Sequence, residues 1–442
     1  MGGRRVDPGE MGRPNLLVLC VDALRVFECL DDGDRGAVMD GYDAVVDAGV
    51  EFSQMVAAST TTTPCMASIH TGEYPFVHGA ESLTGPKIRD EVPLVTERLS
   101  EAGYDTAALV NRPMSDALGF DRGYADYDLI AYADEIGGRD DWFGRIAGHI
   151  EELEPPWFYF VHFPEVHLPR EVAPEMDGSR YGRNRYERSI STVDRTIDRV
   201  LDRVDLDETA VVYTADHGES IAGDRFESVF EMGNPLKFLT KLRYQYGLGG
   251  GLDWLERRLD VLRDRGIHEH DRFTTLDHGF YPYECLVRVP FAVAGPGVEA
   301  RDRVDEQVRQ IDVAPTLLDC AGVDGFDCGG RSVLPVAAGD GEPRDAYMMA
   351  NGPVHWDNEP FEGVRTPRWK YVLAGDDRAL YDLDADPVEL RNVVEAHGDV
   401  ADQLDDRLDA IRRGGEAMEE AEQLGDDERA AVEESLRELG YI

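Results

Sequence analysis

Asn15-Leu16-Leu17-Val18-Leu19-Cys20-Val21-Asp22 is apolar without a break from Leu16 to Val21 and is then closed by an acid. A strand with one wet face alternates in polarity, whereas a strand covered on both faces does not. The run therefore predicts an inner strand of a parallel sheet. Asp22 falls at its carboxyl end, where open α/β sheets carry their functional groups. Shorter apolar runs follow at Thr106–Val110, Pro156–His162, Thr209–Thr214 and Val289–Ala294. Helical patterns lie between them. Gly41–Val50 is closed by Gly49, and Pro93–Ala102 opens on proline and is followed by Gly103. Tyr186–Val204 places Ile190, Val193, Ile197, Val200 and Leu201 near helical spacing, and Asp312–Gly322 is a further helix. Strand and helix alternate, which predicts an α/β fold: a doubly wound, mostly parallel sheet flanked by helices.

From Gly330 onward the texture changes. Tyr347–Ala350, Glu362–Thr366 and Lys370–Leu373 read as short strands separated by turns, and a charged helix follows over Asp399–Glu420. The expected organisation is a main domain over 1–329 and a smaller C-terminal α+β subdomain over 330–442. Residues 226–272 read as an insertion in the main domain, with a Gly-rich patch at Gly247–Gly251. No internal repeat is visible.

The formal net charge of the 442-residue chain is -44, from 89 acidic and 45 basic residues, and only four of the basic residues are lysines. Charge of this size keeps a protein soluble where salt screens its self-repulsion. The acid is spread along the chain, not gathered in a tail, so we read a halophilic surface. Nucleic acid is excluded as a partner, because no basic stripe offsets repulsion from phosphates. Six cysteines without metal-finger spacing read as free thiols of a cytoplasmic protein. No apolar run is long enough for a signal h-region or a membrane span, and Arg4-Arg5 lacks the apolar run of an export signal.

Three segments carry candidate chemistry. Thr62-Thr63-Pro64-Cys65-Met66-Ala67-Ser68-Ile69-His70-Thr71-Gly72 has the form of a nucleophile loop running into a helix, whose unpaired N–H groups favour negative charge. Val21-Asp22-Ala23-Leu24-Arg25 lies upstream, and Ala215-Asp216-His217-Gly218-Glu219 lies far downstream. Asp22, Asp216, His217 and Thr62 offer three oxygen donors and a nitrogen, a mix that suits divalent Ca, Mg, Mn or Zn. Read singly, Asp22 and Thr62 serve equally as helix caps, and Asp216-His217-Gly218 as a turn after a strand.

Together with these segments, several others resemble the sulfatase family of the alkaline phosphatase superfamily: Gly103–Ala108, Gly119–Gly123, Val161-His162-Phe163-Pro164-Glu165-Val166-His167-Leu168-Pro169, Arg288-Val289-Pro290, Ile311–Leu318, Trp369-Lys370-Tyr371 and Leu380-Tyr381-Asp382-Leu383. Their order and spacing along nearly the whole chain carry the resemblance. It implies an alkaline phosphatase-like fold and metal ligation by Asp22, Thr62, Asp216 and His217. It implies Thr62 as the nucleophile and places His167 and His278 as catalytic, substrate-contacting histidines. With Glu165 they are alternatively a second metal site. Asn111 falls where sulfatases often carry a substrate-contacting lysine. Cys65 lies beyond Pro64, off the nucleophile position, and His268 and His270 read as a solvated loop.

Departures from the family pattern bear on the substrate. Sulfatases make formylglycine from a cysteine or serine; Thr62 gives no such aldehyde. Met66 stands where an arginine is usual, Ala23 replaces a frequent second aspartate, and Asn111-Arg112-Pro113 replaces Lys-x-His. The resemblance therefore implies a metal-dependent hydrolase of phosphate or sulfate esters, phosphodiesters included, acting through a metal-bound threonine on a small anionic ester, glycan- or lipid-linked. The alternatives are a sulfuric ester hydrolase working without formylglycine, a phosphotransferase acting on a sugar or lipid, and a non-catalytic binder of anionic glycans.

Overall fold

The computed structural model describes residues 12–30, 35–130, 139–167, 170–219, 281–301, 303–342, 344–351, 360–389 and 391–413, with a few isolated positions beyond. His278, the 226–272 insertion with His268 and His270, and the end of the charged C-terminal helix lie outside the described residues.

Eight strands form the main sheet: β1 (Asn15–Val21), β2 (Gly49–Val56), β3 (Asp105–Asn111), β4 (Asp126–Ile130), β5 (Trp157–Phe163), β6 (Thr209–Ala215), β7 (Arg288–Ala294) and β8 (Val308–Arg309). Their order is β4-β3-β5-β1-β6-β7-β2-β8. The strands from β4 to β6 run parallel, while β7 runs antiparallel to both β6 and β2. The sheet is thus mostly parallel, as the unbroken apolar runs imply. Leu16 to Val21 are wholly buried, because β1 has a neighbour on each edge and side chains packed on each face.

Helices α1 (Asp40–Ala48), α4 (Arg139–Glu152) and α5 (Arg185–Leu201) pack together, as do α2 (Thr62–Thr71), α3 (Val95–Glu101) and α6 (Val313–Ala321); the two groups flank the sheet. α5 buries one apolar stripe that includes Ile190, Val193, Ile197 and Val200. One expectation is corrected. The helix expected over Gly41–Val50 ends at Ala48, and β2 starts at Gly49. A Cβ on Gly49 would stand 2.0 Å from the Val293 carbonyl oxygen, so only glycine lets β2 meet β7 there.

Four antiparallel strands, β9 (Ala346–Ala350), β10 (Phe361–Arg365), β11 (Trp369–Ala374) and β12 (Asp377–Asp382), form a second sheet covered by α7 (Gly398–Arg412). This is the α+β portion expected after Gly330. The two sheets meet at a buried ionic junction. Arg365 forks onto Glu284 with two bonds of 2.9 Å, and Lys370 Nζ lies 2.6 Å from Glu389 and 3.4 Å from Glu284. Two cations thereby face two carboxylates, which compensates for charge taken out of water. Among the described residues no helix is long and apolar enough to cross a membrane.

Candidate active site

β5, β1 and β6 lie side by side, and the register levels their ends. Cys20 stands opposite both His162 and Thr214; Val21 stands opposite Phe163 and Ala215. Asp22 and Asp216, the next residues of β1 and β6, therefore arrive together. The turn after β1 is forced: Ala23 has φ +60, a left-handed conformation costly for a residue with a Cβ. Its N–H donates to Asp216 Oδ1 (3.1 Å), and its carbonyl accepts from the Tyr186 hydroxyl (2.7 Å), which itself accepts from Arg25 N–H.

Thr62 is the first residue of α2, after Thr61 in extended conformation. Pro64 is tolerated in that first turn because its missing N–H would have had no helical partner. The loop before Thr62 is clamped from both sides. Ala58 N–H donates to Gln310 Oε1 (3.0 Å), and Ala58 carbonyl accepts from Met349 N–H (3.0 Å) in the second sheet. Gln310 Nε2 donates to the Asp216 carbonyl (2.6 Å), tying the two loops together.

His217 Nδ1 lies 2.8 Å from the Gly218 carbonyl. A carbonyl only accepts, so Nδ1 carries the proton and Nε2 presents a lone pair. That Nε2 lies 3.3 Å from Thr62 Oγ1, 3.4 Å from Asp216 Oδ2 and 3.7 Å from Asp22 Oδ1. The threonine hydroxyl is the donor in this group, and the other three atoms are acceptors. Asp22 Oδ1 and Asp216 Oδ2 have no hydrogen-bond partner and are wholly enclosed. Buried acceptors facing one another without donors are costly unless a cation lies among them. Asp22, His162 and Asp216 hold their ligand atoms within 4.8 Å of one another, so the donor set fits a divalent metal.

The electrostatics agree. Burial, and then the charges of Asp216, Glu219 and Glu165, push Asp22 well above the usual carboxylate range. Burial would raise Asp216 too, but His217, His162 and the N–H groups of His217 and Ala23 together hold it down. Burial drives His162 down to about 4, so its ring is neutral at pH 7.

The structure thus brings Asp22, Thr62, Asp216 and His217, four of the residues singled out in the sequence, to one place. His167 is buried on the loop after β5, its N–H on the Pro164 carbonyl (3.1 Å), close behind Glu165. Asn111, at the end of β3, is buried against His162: its Oδ1 lies 2.7 Å from His162 Nδ1. The Cys65 thiol turns away to the Ser59 carbonyl, and burial raises its pKa well above the ordinary value, so it is no rival nucleophile. His162 and Gln310 are the residues that sequence reasoning did not single out. His162 lies within the apolar strand β5, one residue before its end, and reads as packing; its one signal is a position level with Cys20, two residues short of the acid after β1.

Residues 14–323 match the sequence model of the Sulfatase family, and residues 272–414 match that of the N-sulphoglucosamine sulphohydrolase C-terminal domain. Arylsulfatase K of Rattus norvegicus is 30% identical over 162 residues, which span 31% of this chain and only 28% of that protein. Choline-sulfatase of Rhizobium meliloti (strain 1021) is 25% identical over 97% of this chain and 93% of its own length. Among solved structures, the phosphonate monoester hydrolase of Agrobacterium radiobacter superposes with a TM-score of 0.68 at 18% identity, covering 91% of this chain and 96% of that one.

Proposed function

Because this chain belongs to the sulfatase family, we propose that it hydrolyses a phosphoric or sulfuric ester of a small anionic substrate, with Thr62 as the nucleophile. The observation that carries this reading is the convergence of Thr62 Oγ1, His217 Nε2, Asp22 Oδ1 and Asp216 Oδ2 where the ends of the adjacent strands β1 and β6 meet the start of α2. Asp22, Asp216, His217 and Thr62 would hold a divalent cation. When bound, it supplies positive charge that offsets the ester's charge and eases ionisation of the threonine hydroxyl.

The chain's own groups do the rest. Strand register and the strained turn at Ala23 fix the two carboxylates, and the Gly218 carbonyl keeps the His217 lone pair turned inward. Thr62 Oγ1, backed by the α2 N-terminus, attacks phosphorus or sulfur and forms a covalent ester as the bond to the leaving oxygen breaks. The hydroxyl proton ends on the leaving oxygen, a transfer we assign to His167. Water then cleaves the Thr62 ester and restores the hydroxyl. Phosphoryl esters are the primary class, since a threonine is never converted to formylglycine and phosphoryl transfer depends on positioning and charge.

The test is Thr62→Ala against the parent enzyme in molar salt, with Mg, Mn, Ca or Zn added, on an aryl phosphate, a bis-aryl phosphate and an aryl sulfate. The variant is expected to fold and to lose several orders of magnitude in kcat, while Thr62→Ser keeps measurable turnover. Parental rates in the Ala variant would remove Thr62 as nucleophile. Turnover of the aryl sulfate alone would make the protein a sulfuric ester hydrolase without formylglycine.

A further inference from the structure

We infer that His162 is a second imidazole ligand of the metal centre and that Asn111 is the positioning residue that aims it. This rests on the reading of Asp22, Thr62, Asp216 and His217 as a metal centre and extends its donor set.

His162 is wholly buried, and its two nitrogens have different surroundings. Nδ1 faces the Asn111 amide oxygen at 2.7 Å. An amide oxygen accepts only, so Nδ1 carries the proton and Nε2 carries the lone pair. Nε2 has no hydrogen-bond partner and lies 3.9 Å from Asp216 Oδ2, which has none either. That gap is too long for a hydrogen bond and leaves room for one cation between two donors. His217 is arranged the same way: its Nδ1–H is taken by the Gly218 carbonyl, and its Nε2 faces the same Asp216 oxygen. Two imidazoles, each locked by an oxygen behind it, thus turn lone pairs toward one carboxylate. Fixing a ligating histidine through its far nitrogen is what a metal site requires of its surroundings.

Two consequences follow. Asn111 acts on the His162 ring, not on the substrate. The donor set becomes two imidazoles, two carboxylates and a hydroxyl. Imidazole nitrogen suits Zn, Cu, Fe or Ni, whereas Ca and Mg take oxygen donors. The centre is therefore selective for a first-row transition metal over Ca.

The experiment uses the full chain, stripped of metal and reloaded with one equivalent of Mn2+ in molar KCl. Electron spin-echo modulation counts the coordinated imidazole nitrogens. Two are expected in the parent protein and one in His162→Ala. A single nitrogen in the parent overturns the inference while leaving the metal centre standing; a parent that binds no Mn2+, Zn2+ or Ca2+ overturns both. The parent count decides the matter even where His162→Ala fails to fold. Calorimetry supplies the second readout. Asn111→Leu is expected to lose about 10- to 100-fold in Zn2+ affinity, with recovery in Asn111→Asp, which restores an oxygen behind Nδ1. Unchanged affinity in Asn111→Leu would sink the positioning role. Zn2+ is expected to bind more tightly than Ca2+, and the gap to narrow in His162→Ala.

Discussion

Gly218 supports the centre without contributing a side chain. Its N–H donates to the Leu286 carbonyl (2.7 Å) while its own carbonyl holds His217 Nδ1. A Cβ at this position would stand 1.9 Å from the Cys285 carbonyl oxygen, so backbone would have to move. Gly218→Ala is expected to destabilise the protein toward the upper end of the roughly 1–3 kcal/mol that overpacking costs. It should also weaken metal binding by releasing His217. Thermal melting with and without added Zn2+ checks both, since the variant should lose most of the metal-dependent rise in Tm. At this scale the sequence was legible where a polar residue interrupts an apolar run, as at Asp22 and Asp216. It was illegible where a ligand sits inside the run. His162 lies among strand residues, and only the pairing of β5 with β1 shows that it shares a layer with Cys20 directly below the acids. Asn111 reads in the sequence as a substrate contact; that its amide oxygen meets His162 depends on β3 lying beside β5.

The helix that carries Thr62 brings two buried histidines into play. His70 lies within α2, and His78 follows shortly after it. His70 donates from Nδ1 to the Met66 carbonyl, and burial lowers it to about 4. His78 Nδ1 accepts from Ala80 N–H (3.1 Å) and its Nε2 meets Ser68 Oγ, with burial lowering it to about 3. Both folded values lie below the ordinary 6.5, so the unfolded chain binds protons first as pH falls. The stability of the neutral rings is complete above about pH 6.5 and drains away toward 4 and 3. Asp194 and Glu389, pushed up to about 7 by burial, titrate with the opposite sign in part of this range. The informative quantity is therefore the difference between parent and variant. The Tm advantage of the parent over His78→Gln is expected to shrink steadily from about pH 7 to about pH 5; an advantage independent of pH would show that His78 stays clear of the acid transition. Among elements, β1 and β6 were readable almost to the residue and α5 to within three, because burial on two faces or on one stripe leaves a plain pattern. The α1–β2 boundary was not, since Gly49 reads as a helix stop while serving as the close-packed start of a strand.

Over the whole molecule the net charge of -44 outweighs any single contact. Exposed acids at this density repel one another, and the repulsion falls as the Debye length shrinks from about 10 Å at 0.1 M salt to about 3 Å at 1 M. We propose a high-salt working environment, and expect Tm to climb by many degrees between 0.1 M and 2 M KCl; a flat or falling curve would refute it. The fold class and the order of its parts were legible because alternating strands and helices admit few arrangements. The ionic junction of Glu284, Arg365, Lys370 and Glu389 was not, since nothing local shows that a charge on β11 will meet one from before β7. The position of β1 has a further consequence for how the protein is made. Its two hydrogen-bonding partners are β5 and β6, whose residues are synthesised much later. As the nascent chain leaves the ribosome, Leu16 to Val21 must wait for more than a third of the polypeptide before one edge is satisfied, and for nearly half before the other. During that interval it is a sticky, unclaimed ribbon, of the kind that chaperones shield.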